Sequence, residues 1–223
     1  MGCLFAAYFE AAGHDVVVLD HHEERAGRLS EAGISVSGVC GEVHARPVVT
    51  ADASRHGPFD FLMLWVKAYS TRTALRQHAA AVGEKTVIFS AQNGIGNIET
   101  IAELFPRNPI VGGITTEGAF LEGEGRVRHA GRGKTVVGAA NPPAQPHLAD
   151  VCSMLQAAKL DCEETNDIYT LIWKKLAVNS CINPLTAILG VPNGRLLELP
   201  GFSQLARSVV EELVLAASAR NIT

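Results

Sequence analysis

The sequence has no apolar stretch approaching the roughly 18 residues that carry a helix through a bilayer, so a membrane is not expected as a partner. It has no run of basic residues, and its net charge is −4, which argues against nucleic acid. The first residues lack the basic start of a secretory signal, and a cytoplasmic protein is expected. Cysteine is sparse. Cys3, Cys40, Cys152, Cys162 and Cys181 are scattered and odd in number, and none forms a CxxC pair. Neither a metal site nor a disulfide framework is predicted, and all five read as free thiols of a reducing compartment. There is no internal repeat and no low-complexity linker. What remains is a composition of 47% hydrophobic and 19% charged residues, which suits a packed globular chain and not a disordered one.

The apolar residues fall into short β-branched runs alternating with helical segments. Strands are predicted at 16–19, 34–37, 46–50, 59–66, 86–90, 109–112, 125–129, 135–138 and 160–163. Helices are predicted at 4–12, 23–32, 71–82, 97–104 and 145–158. Alternation of this kind predicts a parallel sheet covered on both faces. After residue 167 no strand signal remains, and 173–189 and 201–219 read as two long helices. The fold class expected is α/β: a Rossmann-like parallel sheet over residues 1–165, followed by an all-α domain over residues 166–223.

The opening MGCLFAAYFEAAGHDVVVLD is the back half of a dinucleotide-binding βαβ unit. Gly2 stands where the third glycine of G-x-G-x-x-G would be. The first strand and the first two glycines have no counterpart, so neighbouring strand edges are expected to be exposed and the chain to be marginally stable. Asp20 ends the next strand, where an acidic residue hydrogen-bonds an adenosine ribose. His21 and His22 follow, and only Arg25, Arg28 or a protonated histidine supplies a cation locally, which favours NAD over NADP.

Ligands of α/β sheets bind beyond the carboxyl ends of the strands. Three candidate segments lie there: Val66-Lys67-Ala68-Tyr69, the QNGIGN stretch with Asn93, and the segment 112–119, whose small residues suit close approach of backbone to a ligand. A fourth signal is chemically sharper. In WKKLAVNSCINPLTAILGVPNG, residues 173–194, Lys175, Asn179 and Asn183 recur at steps of four inside an otherwise apolar helix. That spacing stacks one ammonium and two amides on a single face. Such groups are costly to bury unpaired, so a polar surface, water or a ligand must face them.

With MG at the broken glycine motif, VKAY, QNGIGN, GGITTEGA and the long stretch at 173–194, the chain resembles the ketopantoate reductase family, also called 2-dehydropantoate 2-reductase, over its whole length. The resemblance implies a Rossmann domain, a helical C-terminal domain and a site in the cleft between them. It implies NADPH-dependent reduction of 2-dehydropantoate to (R)-pantoate, on the route to pantothenate and coenzyme A, with NADH as the other candidate cofactor. Lys175 would be the catalytic lysine. Asn93, Asn179, Asn183 and Asn193 would bind substrate. Gly2, Asp20, His21, Lys67, Asn93 and Ala119 would line the cofactor. The family's domain continues beyond the length of this chain with a substrate-binding serine and a glutamate near the lysine, which have no counterpart here.

Hydride attack on a ketone makes an alkoxide, and a partly buried lysine can both stabilise it and protonate it. Amides on the same face can donate to a carboxylate and accept from a hydroxyl. Two other readings stand beside this one: a reductase of another small 2-keto acid, and an inactive fragment that only binds a ligand or partner. The long helical tail is compatible with a homodimer.

Overall fold

The computed structural model of the chain describes residues 1–222. Eleven strands and seven α-helices are found among them. Two compact units are formed, Met1–Gln92 with Gly96–Ile168, and Asn93–Ile95 with the chain from Tyr169 on. The first unit opens on α1 (Gly2–Ala11), whose residues Leu4 to Phe9 are all buried, so that this helix is enclosed on every side. Then follow β1 (Val17–Leu19), α2 (Glu23–Ala32), β2 (Ile34–Gly38), β3 (Val43–Ala45) and β4 (Val48–Thr50). Next come β5 (Phe59–Leu64), α3 (Thr71–Gln77), β6 (Val82–Ser90), α4 (Asn97–Leu104) and β7 (Ile110–Thr115). The unit closes with β8 (Gly118–Gly123), β9 (Arg126–Gly131), β10 (Lys134–Ala139), α5 (Leu148–Ala157) and β11 (Asp161–Glu164).

The central sheet has the order β11-β10-β7-β6-β5. β5, β6 and β7 run parallel, β10 is antiparallel to β7, and β11 is parallel to β10. β1 pairs in parallel with β4 alone and stands apart from that sheet. A third sheet, β3-β2-β9-β8, contains two antiparallel pairs and one parallel pair. The parallel α/β architecture is therefore present, but it is not the whole: β3 and β8 were not expected, and two of the three sheets are mixed. The reason is visible in β8, GAFLEG, where exposed Phe120 and Leu121 and flanking glycines leave no alternation to read. It exists because Phe120 and Leu121 pair with Arg128 and Val127 across the hairpin.

Other boundaries move for local reasons. The helix expected at 71–82 stops at Gln77, passes through a 3-10 turn at Ala79–Ala81, and gives way to a nine-residue β6 from Val82. The Ala-rich run before Val82 carries no helix-stop residue, and only its pairing partner β5 reveals the strand. The helix expected at 145–158 begins as a 3-10 segment, Pro142–His147, before α5. The cysteine expectation also fails for one pair. α5 packs beside β11, and this joins Cys152 to Cys162 in a disulfide, while Cys3, Cys40 and Cys181 are free. A sequence separation of ten residues gives no hint of that pairing.

The segment 112–119 is likewise not the open loop that its small residues suggested. Residues 110–115 are strand β7, almost wholly buried. A Cβ on Gly113 would lie 2.6 Å from Cε2 of Phe89, and one on Gly112 would lie 3.0 Å from Cδ1 of Ile98. These glycines make room for core side chains. Since Phe89 is itself fully buried, Gly113→Ala is expected to cost about 1–3 kcal/mol by overpacking, about 2–4 °C in Tm for each kcal/mol. A melting curve superimposable on that of the parent would show that the core gives way freely.

The second unit is built on α6 (Ile168–Leu189) and α7 (Phe202–Ser218). α6 runs without interruption through Pro184. Cys181 donates a long contact to the Ala206 carbonyl at 3.6 Å, which ties the two helices. Between them lies a 3-10 segment, Asn193–Glu198, with Leu196 buried. No helix among the described residues is long and apolar enough to cross a membrane.

Candidate active site

The first cluster surrounds the N-terminus of α1. Met1 is its N-cap residue and offers no side-chain cap, so the amides of the first turn are left for another acceptor. The end of a helix of this kind favours an anion. Gly2 sits at this terminus, and a Cβ there would lie 3.5 Å from Cβ of Trp65, the residue after β5. The Nε1 of Trp65 is buried without a hydrogen-bond partner. On one side the Met1 amine, whose pKa burial lowers, is close enough to feel the charge of Lys67. On the other, Cys3 lies within electrostatic reach of Arg25 and Asp20, although burial is the larger influence on its thiol and raises it. Gly2, Lys67 and Asp20 are thus gathered at one helix end, by the ends of β1 and β5.

Asp20 extends the β1–β4 ladder, its amide donating to the Thr50 carbonyl at 3.0 Å. Its carboxylate is 7% exposed and fully engaged. Oδ2 accepts from Nε of Arg25 at 2.7 Å and lies 2.6 Å from its Nη2, while Oδ1 accepts from the His22 amide at 2.9 Å. Burial pushes this carboxyl up, but the Arg25 guanidinium and the His22 amide outweigh it and hold it below its ordinary value. His21 is exposed, 3.5 Å from Oδ1, and its ring lies 4.0 Å from that of His22. Arg28, the other local cation, pairs with Glu124. His78 is buried behind Asp20, bonded to its backbone, and burial lowers its pKa.

Lys67 is exposed in a short turn that leads into α3. This turn is fixed by Gln92, which sequence reasoning passed over. Gln92 Nε2 donates to the Val66 carbonyl at 2.6 Å and to Thr71 Oγ1 at 2.9 Å, and Ser90 Oγ donates to Gln92 Oε1 at 2.9 Å. Thr71 donates onward to Oδ1 of buried Asn97 at 3.1 Å. The loop after β5 and the QNGIGN loop after β6 are therefore one hydrogen-bonded assembly. The signal was the polar density of QNGIGN itself, but nothing in it said that Gln92 faces inward while Asn93 is exposed.

Ala119 is not at a loop but in β8, opposite His129 of β9. Its neighbour Glu117 is buried and bonded to that histidine, whose ring also meets Tyr8 of α1.

In the second unit α6 is one continuous helix, so Lys175, Asn179 and Asn183 occupy a single face, as their spacing predicts. Lys175 and Asn179 are half-buried and Asn183 is exposed. Burial lowers the Lys175 pKa. Asn193 is exposed at the start of the 3-10 segment that follows α6.

The pattern described as "Ketopantoate reductase PanE/ApbA" matches residues 1–142, and that of its C-terminal part, "Ketopantoate reductase PanE/ApbA C terminal", matches residues 167–223. A 2-dehydropantoate 2-reductase from Archaeoglobus fulgidus is 35% identical over 215 residues, 95% of this chain and 69% of the relative. The crystal structure of 2-dehydropantoate 2-reductase from Geobacter metallireducens has a TM-score of 0.85 at 27% identity, covering 96% of this chain and 70% of that one. D-mandelate dehydrogenase in complex with NADH has a TM-score of 0.90 at 23% identity, covering all of this chain and 71% of that one, and shares the fold.

Proposed function

The chain belongs to the ketopantoate reductase family of oxidoreductases, and from that premise we propose that it reduces the ketone of 2-dehydropantoate to (R)-pantoate, with Lys175 as the general acid. The observation that carries this reading is the stripe of Lys175, Asn179 and Asn183 on one face of α6, with the ammonium half-buried. Desolvation lowers the Lys175 pKa and makes its Nζ a readier proton donor near neutral pH. The same cation stabilises negative charge growing on the ketone oxygen. Asn179 and Asn183 donate to the substrate carboxylate and accept from its hydroxyl, with Asn93 and Asn193 as further contacts. Holding the ketone in one orientation is a large part of the expected rate gain. The product would feed pantothenate and coenzyme A synthesis in the cytoplasm.

The residues at the α1 terminus fit a dinucleotide. The uncapped first-turn amides suit a phosphate, and Asp20 at a strand end suits a ribose hydroxyl. Gly2, Lys67, Ala119 and Asn93 would line the rest, and His21 would border the adenosine end. A bound nicotinamide supplies the hydride. Family resemblance suggests NADPH. The engaged Asp20 carboxylate favours NADH, because both nearby arginines already hold carboxylates.

The test is loss of reduced-nicotinamide absorbance with 2-dehydropantoate, with a panel of other small 2-keto acids, and with each cofactor, alongside direct binding of both ligands. Turnover fastest with 2-dehydropantoate supports the proposal. Faster turnover of another keto acid moves the assignment to that substrate, since a fold does not fix a substrate. Binding without turnover identifies a binding protein.

A further inference from the structure

We infer that Cys40 is a reactive thiol, a site of exchange with small disulfides, served by a buried proton relay of Tyr8, His129 and Glu117. The relay lies outside the residues assigned to the reductase reaction and does not depend on that assignment. The side chains of Glu117 and His129 are each 1% exposed, with Nε2 of His129 2.5 Å from Oε2 of Glu117. The other ring nitrogen, Nδ1, lies 2.8 Å from the hydroxyl of Tyr8, itself buried in α1. An ionised carboxylate only accepts, so the imidazole proton belongs on Nε2 and Nδ1 accepts from Tyr8. The tyrosine oxygen is then left to accept, and Cys40 is its hydrogen-bond partner, with Arg132 also near enough to act on the phenol. Every donor in this chain points the same way, from thiol to phenol to imidazole, and the carboxylate receives the last N–H.

The backbone places Cys40 there independently. Gly38 pairs in register with His129. The Val39 amide donates to the His129 carbonyl at 3.0 Å, and the Gly41 amide closes the turn on Gly38 at 3.0 Å. Gly38 has φ +119, and a Cβ there would sit 2.2 Å from the His129 carbonyl oxygen, so the turn is pressed onto the histidine strand. Cys40 sits in this turn and is exposed, whereas Cys3 is partly buried and Cys181 buried. An accessible nucleophile thus ends a line of buried groups that an apolar core would not need.

The reaction balances without another reagent. Cys40 Sγ attacks one sulfur of a small disulfide and a new S–S bond forms as the old one breaks. The thiol proton passes to Tyr8 Oη as the phenol proton passes to His129 Nδ1, giving an imidazolium paired with Glu117. The departing thiolate takes up one proton, and the relay returns to its starting state by releasing one. The net change is Cys40–SH plus a disulfide giving a mixed disulfide and one thiol.

The test treats the full chain with 5,5′-dithiobis(2-nitrobenzoate) from about pH 6 to 8.5, follows the released aryl thiolate, and maps the labelled peptide. Cys40 is expected to be labelled first and, at pH 7, at least about tenfold faster than glutathione, as activated thiols are. Its rate should fall by clearly less than tenfold per pH unit on acidification, because the relay and not solvent takes the proton. Tyr8→Phe keeps the ring, removes the hydroxyl, and should abolish most of that advantage while the melting temperature moves little. A folded Tyr8→Phe protein with the parental rate overturns the relay. Should that variant not fold, the parent decides alone: a rate no better than glutathione, or a tenfold loss per pH unit, overturns it equally.

Discussion

Replacing Lys175 by alanine is expected to lower kcat for 2-dehydropantoate reduction at least about a hundredfold, the usual scale for loss of a general acid. The side chain supplies both the proton and the positive charge beside the forming alkoxide, and alanine supplies neither. KM should change less, because the substrate carboxylate and hydroxyl are assigned to Asn179 and Asn183. A drop in kcat/KM carried by kcat would mark an interaction made mainly in the transition state. The pH dependence has a definite sign. A general acid must begin protonated, so kcat falls as pH rises through the Lys175 pKa. Burial lowers that pKa, which moves the falling limb from the strongly alkaline range toward neutrality. Lys175→Arg keeps the charge but not the titration, and should flatten the limb while leaving the rate low. Steady-state rates across pH for the three proteins check this. A Lys175→Ala protein within a few-fold of the parent removes the lysine from the chemistry.

The second large effect is expected at Asp20. In the parent its carboxylate holds Arg25 and discourages a 2′-phosphate. Unit charges about 4 Å apart at an effective dielectric near 20 interact by about 4 kcal/mol. Removing the carboxylate and freeing Arg25 should therefore exceed about 1.4 kcal/mol in discrimination. Asp20→Ser is accordingly expected to raise kcat/KM for NADPH relative to NADH by at least about tenfold. Arg25→Ala should do the reverse, leaving NADH usable and NADPH poorer still. The ratio of kcat/KM values for the two cofactors is the measurement. If the ratio stays fixed in Asp20→Ser, cofactor choice is made elsewhere.

Much of this molecule is written locally. The span 97–104 is a helix to the residue, and Lys175, Asn179 and Asn183 share a face, because helical period and side-chain chemistry lie within one turn of each other. Asp20 at the end of β1, Gly2 at the head of α1 and Lys67 after β5 are legible for the same reason, since strand and helix ends are marked by their own residues. The family, too, was evident from short stretches of sequence.

Other features are fixed only by partners distant in the chain. β8 exists through β9, and β6 starts early through β5. Gly112 and Gly113 read as room for a ligand and are room for Ile98 and Phe89. Cys152 meets Cys162 because a helix packs on a strand. Gln92 turns inward to bind Val66 and Thr71, and Tyr8 finds His129 121 residues away. By itself the sequence determined the elements with a strong period, the helix-borne stripe and the residues that end strands, because those depend on neighbours within a few positions. Only the tertiary structure decided strand pairing, which small residues serve packing, and which polar groups satisfy one another in the interior. Those outcomes depend on close packing and on hydrogen bonds between residues that the chain holds far apart.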